Sequence, residues 1–327
     1  MKKYILAFFG LLILVTAGTC ADQLTAIKAA DQTSFIGTPI MTVKPEMQGG
    51  LSLEISTDRS EFVLGEPVVL YVTLKNAGSG PVQVMPRLEP DYQFVEYFVK
   101  GPDGAESVFL PWAYKDYVGA QTTLQPGDSI SGVAKIFYGG NGWTFKVPGT
   151  YRLRAVYENS ASSQEISINV KAPTDDAGQR SSQIFLSSDE VGKFLLFEGG
   201  DHLQDGISKL KTVADQMPGT PHAFYANYAL GVNMMRDFAN FQTNSLRAAD
   251  PQMAVSYLQK IETQPVSFYY SMETTVYLSR AYDTLGQPSQ AELVKTNFNL
   301  LASQNFQVLA PLYQQEMEGR LSTPMIG

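Results

Sequence analysis

Cysteine, histidine and positive charge are all scarce in this sequence of 327 residues. It contains one Cys and two His, which excludes Cys-rich zinc sites, a disulfide framework and most His-based catalysis. Its 24 Lys and Arg residues are outnumbered by 32 Asp and Glu residues, which gives a formal net charge of -8 at pH 7. A nucleic-acid partner is therefore not expected, because binding to phosphates needs a basic surface. The length of 327 residues is enough for about two folded domains, and 44% of the residues are hydrophobic.

Catalytic and cofactor-binding motifs are also missing. The sequence has no Gly-x-Ser-x-Gly, no His-Glu-x-x-His, no phosphate-binding loop and no dinucleotide fingerprint. His202 with Asp205 comes nearest to a metal site, but it straddles a Gly-Gly break at which Asp201 is more simply a helix N-cap. We therefore expect no catalytic residues, no metal and no cofactor. A carboxylate pair that meets only in space would leave no motif, so an enzyme stays open as a third hypothesis.

The one long hydrophobic run lies at the N-terminus. Two lysines precede an apolar stretch from Tyr4 to Val15, and small residues follow it as far as Ala21. This is the layout of a secretory signal peptide. A transmembrane helix needs about 20 apolar residues, and this run is shorter. We predict a signal peptide over residues 1–21, no transmembrane segment after its cleavage, and a periplasmic or extracellular location.

The single cysteine, Cys20, has two alternative fates at this site. The segment Ala17-Gly-Thr-Cys20 partly resembles a bacterial lipobox, which would make Cys20 the attachment point of a lipid anchor. It departs from that pattern at Ala17, where Leu is usual, and at Thr19, where Gly or Ala is usual. Cleavage after Ala21 would instead remove Cys20 and leave a mature chain without a thiol, which suits an oxidising compartment.

An alternation of apolar and polar residues begins at Leu51, after an extended lead-in over residues 22–50. It recurs in at least seven short segments, which are separated by turn signals such as Pro126-Gly-Asp and Pro148-Gly. No helical periodicity interrupts these segments. The pattern predicts an antiparallel β-sandwich over residues 51–172.

Two local motifs stand out within this segment. One is Phe62-Val-Leu-Gly-Glu-Pro-Val-Val-Leu-Tyr-Val-Thr-Leu-Lys-Asn76, a strand, a turn and a longer strand that ends in Asn. The other is the turn Leu124-Gln-Pro-Gly-Asp-Ser129 and, further on, Phe145-Lys-Val-Pro-Gly-Thr-Tyr-Arg-Leu-Arg-Ala-Val-Tyr157, in which a turn precedes a strand that opens at Tyr151. Together they resemble the immunoglobulin-like domains of many exported bacterial proteins. The resemblance implies an immunoglobulin-like sandwich and leaves the function open. The sequence lacks the cysteine pair of antibody domains.

The second half of the chain changes to helical periodicity. It follows a polar segment at residues 173–188, which we expect to be a linker that few contacts cross. Six helices joined by short turns are predicted over residues 189–305, with a C-terminal tail at residues 306–327. The six segments with helical spacing are residues 189–198, 203–216, 221–238, 251–262, 266–285 and 288–303.

One predicted helical hairpin carries a repeat signature. The segment Leu278-Ser-Arg-Ala-Tyr-Asp-Thr-Leu-Gly-Gln-Pro-Ser-Gln-Ala291 resembles a tetratricopeptide repeat in the spacing of its Leu, small, Tyr, Gly and Ala positions. Leu230-Gly231 resembles the start of an earlier copy 48 residues upstream, whereas the usual period is about 34. A loop near residues 240–249 would account for the difference. The expected C-terminal fold is an α-helical hairpin solenoid of the tetratricopeptide-like kind.

Such repeats use the first helix of each pair to line a concave groove, so the resemblance implies a surface for a protein partner. The leading functional hypothesis is an exported, non-enzymatic adaptor that binds another protein through this groove. The alternative is that the residues at these positions are only the solvated faces of packed helices. The residues that the repeat positions assign to the groove are Tyr225, Tyr228, Arg236, Glu273, Arg280 and Asp283.

A concentration of aromatic residues between Tyr92 and Tyr117 supports a second hypothesis. Its members on strands suit the core of the sandwich. Trp112, Tyr114 and Tyr117 fall instead in a polar loop, where they would either stack on a sugar or fold back over one end of the core. Carbohydrate or surface-polymer binding by this loop is the alternative to the adaptor, and a hydrolase or an accessory subunit of an enzyme is the third hypothesis.

Overall fold

The computed structural model describes residues 50–240, 244–264 and 266–307, together with Leu309 and Met317. The predicted signal peptide with Cys20, the extended lead-in and most of the predicted tail lie outside these residues. None of the described helices is both long enough and apolar enough to span a membrane. The predicted change from strands to helices along the chain is confirmed.

The β-half contains two main sheets. In chain order its strands are β1 (Leu51–Ser56), β2 (Glu61–Val63), β3 (Val69–Asn76), β4 (Val82–Val84), β5 (Val95–Lys100), β6 (Glu106–Val108), β7 (Thr122–Leu124), β8 (Ser129–Lys135), β9 (Tyr138–Gly139), β10 (Gly142–Trp143), β11 (Gly149–Tyr157), β12 (Ala161–Ser162) and β13 (Ile166–Lys171). A three-stranded sheet has the order β1-β3-β8, and a larger sheet has the order β2-β13-β11-β5-β6, with β12 paired to β11. Pairing in these sheets is antiparallel, as predicted, except that β2 runs parallel to β13.

Burial along the strands shows what covers each face of a sheet. In β11, Tyr151, Leu153, Ala155 and Tyr157 are buried while the residues between them are more exposed, as expected for a strand with one face in the core. In β3, by contrast, Val69–Val72 are all buried. The second face of β3 is covered by the helical half, where the ring of Tyr71 lies 6.2 Å from that of Phe268. The central strand β3 is therefore packed on both faces over these residues.

The C-terminal half contains seven helices within its described residues, one more than predicted. They are α1 (Asp176–Leu186), α2 (Asp189–Phe197), α3 (Gln204–Gln216), α4 (Pro221–Met234), α5 (Pro251–Leu258), α6 (Phe268–Thr284) and α7 (Pro288–Asn305). Proline stands in the first turn of α4, α5 and α7, where its missing N–H has no cost. A hairpin of two short strands, β14 (Phe238–Asn240) and β15 (Ser245–Arg247), falls in the region predicted to be an inserted loop.

The helix that the sequence pattern did not indicate is α1, which occupies most of the segment predicted to be a linker. The Asp175 carboxylate caps it by accepting a hydrogen bond from the N–H of Gly178 at 2.7 Å. Phe185 is fully buried, and the Ser182 hydroxyl donates to the Leu64 carbonyl at 2.6 Å. The helix was hidden because its large apolar residues are concentrated in its last turn. This segment is a packed element rather than a loose linker.

One hydrophobic cluster runs through the sheets and the helices, and a second, which contains Tyr71 and Phe268, joins β3 to α6 and α7. The first includes Leu70 and Val72 of β3 as well as Phe185 of α1 and Phe224 of α4. All of the described residues fall within one compact unit. The two halves that the sequence suggested as separate domains are therefore joined by a continuous apolar interface, which stabilises them together.

Candidate functional site

A cleft of about 510 Å³ opens where the three-stranded sheet meets the helices. We call it the junction cleft. The β-half contributes residues from the segments 86–91 and 109–115 and from 131–135 at the end of β8. The end of α2 and the beginning of α6 form the opposite wall. Its volume is within the range of small-molecule binding sites in proteins.

Trp112 forms part of the junction cleft and keeps 42% of its surface exposed. Its ring lies 6.1 Å from the ring of Tyr138, and the Nζ atom of Lys193 lies 4.1 Å from its centroid. The loop that carries Trp112 is tied to the β9–β10 hairpin, because the N–H of Gly140 donates to the Leu110 carbonyl at 2.8 Å. This tie places a large exposed ring at the cleft.

The rim of the junction cleft carries ion pairs. Lys115 Nζ lies 2.6 Å from Asp91 Oδ2, and this hydrogen bond raises the pKa of Lys115. The backbone N–H of Lys115 also donates to the Asp91 carbonyl at 2.8 Å, which holds the two segments together. Nearby, the guanidinium of Arg87 lies 3.7 Å from the carboxylate of Glu89, and both remain exposed. Hydrogen-bond donors and acceptors therefore stand beside the exposed indole.

Behind the junction cleft, a buried carboxylate connects the sheet to the helices. Glu198, which ends α2, accepts hydrogen bonds from Lys135 Nζ at 2.6 Å and from the Tyr228 hydroxyl at 2.9 Å. Arg236 Nη2 donates a third at 3.1 Å. Burial disfavours the charged carboxylate, but Lys135 and Arg236 outweigh it and hold the pKa of Glu198 at about 2. Because Lys135 lies on β8, these bonds link the two walls of the cleft.

Three of the residues predicted to line a helical groove are buried. Tyr225, Tyr228 and Glu273 are at most 1% exposed. Both tyrosines pack edge-to-face against Tyr270, with ring centroids 5.1 and 4.9 Å apart. The Tyr225 hydroxyl accepts a hydrogen bond from Arg59 of the β-half at 2.9 Å. The two tyrosines therefore lie in an internal interface, whereas Glu273 is a buried residue of the junction cleft lining.

The other three predicted groove residues are spread over different surroundings. Arg236 donates to the Tyr277 hydroxyl at 2.6 Å in addition to its bond with Glu198. Arg280 is half-buried and Asp283 is exposed, both on α6. The six residues therefore do not meet on one accessible face.

The three loop aromatics also separate. Trp112 lines the junction cleft, but Tyr114 and Tyr117 do not. Tyr114 is 56% exposed. Tyr117 packs edge-to-face against Tyr92 at 6.1 Å and Phe94 at 5.9 Å, two residues that precede β5. Trp112 is the member of the three that is placed to touch a ligand in the cleft.

A second set of buried charges lies where the β1–β2 connection meets the helices, and sequence analysis did not identify it. Arg59 Nη2 lies 2.6 Å from Glu66 Oε2, and Asp58 accepts a hydrogen bond from the N–H of Phe268 at 2.7 Å. Burial raises the pKa of both Asp58 and Glu66, and the charge of Arg59 opposes this rise. In the sequence these residues look like ordinary turn residues between strands. Their enclosure makes them part of the interface.

Both histidines have structural contacts. His222 is buried, and its ring nitrogens lie 2.9 Å from the Ser181 hydroxyl and 2.9 Å from the Leu64 carbonyl. Burial lowers the pKa of His222 to about 4. His202 stacks on Phe238 with 5.9 Å between ring centroids. Over the described ranges, no three His, Cys, Asp or Glu side chains lie close enough together to hold a metal ion.

The acidic residues beside His202 are engaged elsewhere. Asp201 does not cap α3, whose N-cap is Leu203; its carboxylate is paired with Arg247. Asp205 lies 2.7 Å from Lys209, one helical turn away. Both carboxylates are therefore engaged in ion pairs within the chain.

No protein-family model matches the chain, and no curated protein matches it. Similar solved structures include a β-glucosidase from Listeria innocua in complex with isofagomine, at 15% identity and a TM-score of 0.23, covering 39% of this chain and 16% of the other. A CARDB domain from Pyrococcus furiosus matches at 17% identity and 0.23, covering 43% of this chain and all of the domain. A PKD domain of a peptidase from a Thermoplasmatales archaeon matches at 11% identity and 0.19, covering 41% and 100%. The chain spans only 16% of the glucosidase, and with such TM-scores these similarities define neither fold nor function.

Proposed function

We propose that this chain is a non-enzymatic binding protein whose junction cleft takes a carbohydrate. The observation that carries this proposal is the partly exposed indole of Trp112 in a cleft of about 510 Å³. Sugars combine apolar C–H faces with many hydroxyl groups. An aromatic ring flanked by polar side chains is complementary to both features.

The rim provides polar groups suited to sugar hydroxyls. Lys115 and Arg87 are donors, and Asp91 and Glu89 are acceptors. Exposed ion pairs contribute only about 0–1 kcal/mol, so these side chains can exchange a partner for a hydroxyl at small cost. Binding would therefore combine stacking on Trp112 with hydrogen bonds around the edge of the ligand.

Calorimetric titration tests this proposal with the neutral disaccharides of glucose, galactose and mannose as probes. We expect at least one to bind, and Trp112→Ala to weaken that binding at least tenfold, which is about 1.4 kcal/mol. Tyr114→Ala is the matched control, because Tyr114 is an exposed aromatic of the same loop that does not line the cleft. Absence of binding by all three probes, or equal effects of the two substitutions, would contradict the proposal.

We infer that the β-half is an immunoglobulin-like sandwich. The motif that ends in Asn76 supports this inference, since it forms β2, a turn and β3. The Asn76 side-chain amide donates to the carbonyls of Leu124 at 2.9 Å and Gly80 at 2.8 Å, which joins the end of β3 to the turn before β8.

We also infer that the helical half is related to tetratricopeptide repeats. In the α6–α7 hairpin, Leu278, Tyr282 and Ala291 are buried at the expected repeat positions. Gly286 between the helices has a φ of 71°, a conformation that favours glycine. These features support the relationship for one repeat.

Export remains our proposal for the location of the protein, supported by the pattern of the first 21 residues. N-terminal sequencing and mass measurement of the mature protein test it. A chain that begins at Asp22 supports cleavage after Ala21, and a lipid-modified Cys20 supports the anchor. An intact N-terminus would contradict both.

An adaptor function is a second candidate. Leu293 and Leu300 of α7 are each 45% exposed and lie two helical turns apart on one face. Binding of a protein partner to this face would be lost when both leucines are changed to Ser. It would be retained in Trp112→Ala. The opposite result in a co-purification experiment would favour the cleft.

A further inference from the structure

The cationic side chains around the junction cleft differ in whether a carboxylate lies close to them. Lys115, Lys135 and Arg87 each lie within 4.0 Å of a carboxylate. Lys193 is different: within the described part of the chain, its Nζ atom has no carboxylate at that distance. The Nζ atom lies instead over the indole of Trp112, 4.1 Å from the ring centroid. Lys193 is not itself part of the cleft lining, so the indole of Trp112 connects its ammonium group to the cleft.

The position of Lys193 is set by the packing of α2. The neighbouring residue, Gly192, lies against the buried ring of Tyr138 so closely that a Cβ atom there would be 2.1 Å from it. At the end of α2, Glu198 is fixed by its bonds to Lys135 and to the helices. Both contacts hold the helix against the β-half, so the half-buried Lys193 side chain is directed to the same wall as Trp112.

We propose that Lys193 makes the junction cleft selective for sugars that carry a negative charge, such as a uronic acid. This inference rests on the proposed function, since it requires that a sugar bind on Trp112. A pyranose ring stacked on the indole would displace the ammonium group from the ring face to its edge. The carboxylate of a uronic acid projects from the edge of the pyranose ring, where it would meet that ammonium group.

The balance of interactions favours this exchange. An exposed cation–π contact is weak, and an incoming carboxylate replaces it with a charge-assisted hydrogen bond. A neutral sugar would displace the ammonium group without that compensation. Because the site is open to solvent, we expect a charged sugar to bind about two- to fivefold more tightly than its neutral counterpart, and salt to reduce this preference.

Titration of the full protein with matched pairs of disaccharides tests the inference. The probes are the neutral disaccharides of glucose, galactose and mannose and the corresponding diuronic acids, each measured at low and high salt. We expect Lys193→Gln to abolish the preference for the acid, so that the two members of each pair bind with equal affinity. Lys193→Arg should keep the preference, and Lys211→Gln, at an exposed lysine of α3 that belongs neither to the cleft lining nor to the described ring contacts of Trp112, should leave it unchanged.

The outcomes separate this inference from the proposed function. Neutral and acidic members that bind equally, or a preference that survives Lys193→Gln, would overturn the inference. The proposed function would then stand if binding of the neutral sugar still depends on Trp112. Failure of all six probes to bind would overturn both.

Discussion

Replacing Glu198 by Gln should lower the free energy of unfolding by about 3 kcal/mol at pH 7. Gln keeps the size of the side chain but removes the charge, which leaves Lys135 and Arg236 without their shared counter-ion. Removing one partner of a buried ion pair typically costs about 3–5 kcal/mol. The fall in the pKa of Glu198 from 4.5 to about 2 independently corresponds to about 3 kcal/mol.

The lowered pKa also sets the pH range of the effect. Since the folded state favours the ionised form of Glu198, its contribution is fully present above pH 4.5 and is lost as the pH falls through 2. The difference in stability between the parent protein and Glu198→Gln should therefore shrink to less than half by pH 3.

Urea denaturation followed by circular dichroism at pH 7 and pH 3 measures this difference. Glu165→Gln is the matched control, because Glu165 pairs with Arg152 at 3.5 Å on an exposed surface. We expect the control to lose no more than about 1 kcal/mol. Equal losses for Glu198→Gln and Glu165→Gln at pH 7 would refute the view that Glu198 joins the walls of the junction cleft.

Three further predictions concern the shared core. Burial lowers the pKa of His222 from 6.5 to about 4, so the stability that its neutral form contributes above pH 6.5 should be lost as the pH falls through 4. His222→Gln should remove this pH dependence from the melting temperature. Gly192→Ala should cost about 1–3 kcal/mol in chemical denaturation because its Cβ would meet the Tyr138 ring, whereas Gly219→Ala, with open space around it, should be nearly neutral. Helical ellipticity and tryptophan fluorescence should give superimposable unfolding curves, and separate midpoints would contradict a continuous core.

The elements with one covered face were the most accessible to sequence analysis. The alternation in β11 reports a single buried face, and it was visible without the structure. The apolar run in β3 is continuous because its second face is also covered, with Tyr71 packed against Phe268 of α6. Alternation cannot distinguish that case from a strand in an ordinary core, so the packing of the two halves was not predicted.

The helical groove shows why a periodicity does not identify its partner. The spacing of Tyr225 and Tyr228 indicates a helix, but the pattern is the same whether the partner is another protein or the sheet of the same chain. Contacts such as Tyr225 with Arg59 join residues far apart in the sequence. They therefore leave no local signal.

The junction cleft was predictable only in part. Trp112 could be recognised as a large aromatic in a polar loop. Arg87, Lys135 and Lys193 belong to separate segments, which are brought together by the packing of α2 and β8. A single sequence contains no spacing that connects these segments, so the charged surroundings of the indole required the structure.

The central claim, that a sugar stacks on Trp112, is tested most directly by the fluorescence of that residue alone. The chain has two tryptophans, so Trp143→Phe leaves Trp112 as the only indole emitter. If the account is correct, adding the disaccharide that binds best in calorimetry shifts or quenches this emission with the same midpoint as the heat of binding. A sugar that binds with measurable heat but leaves the emission of Trp112 unchanged would contradict it.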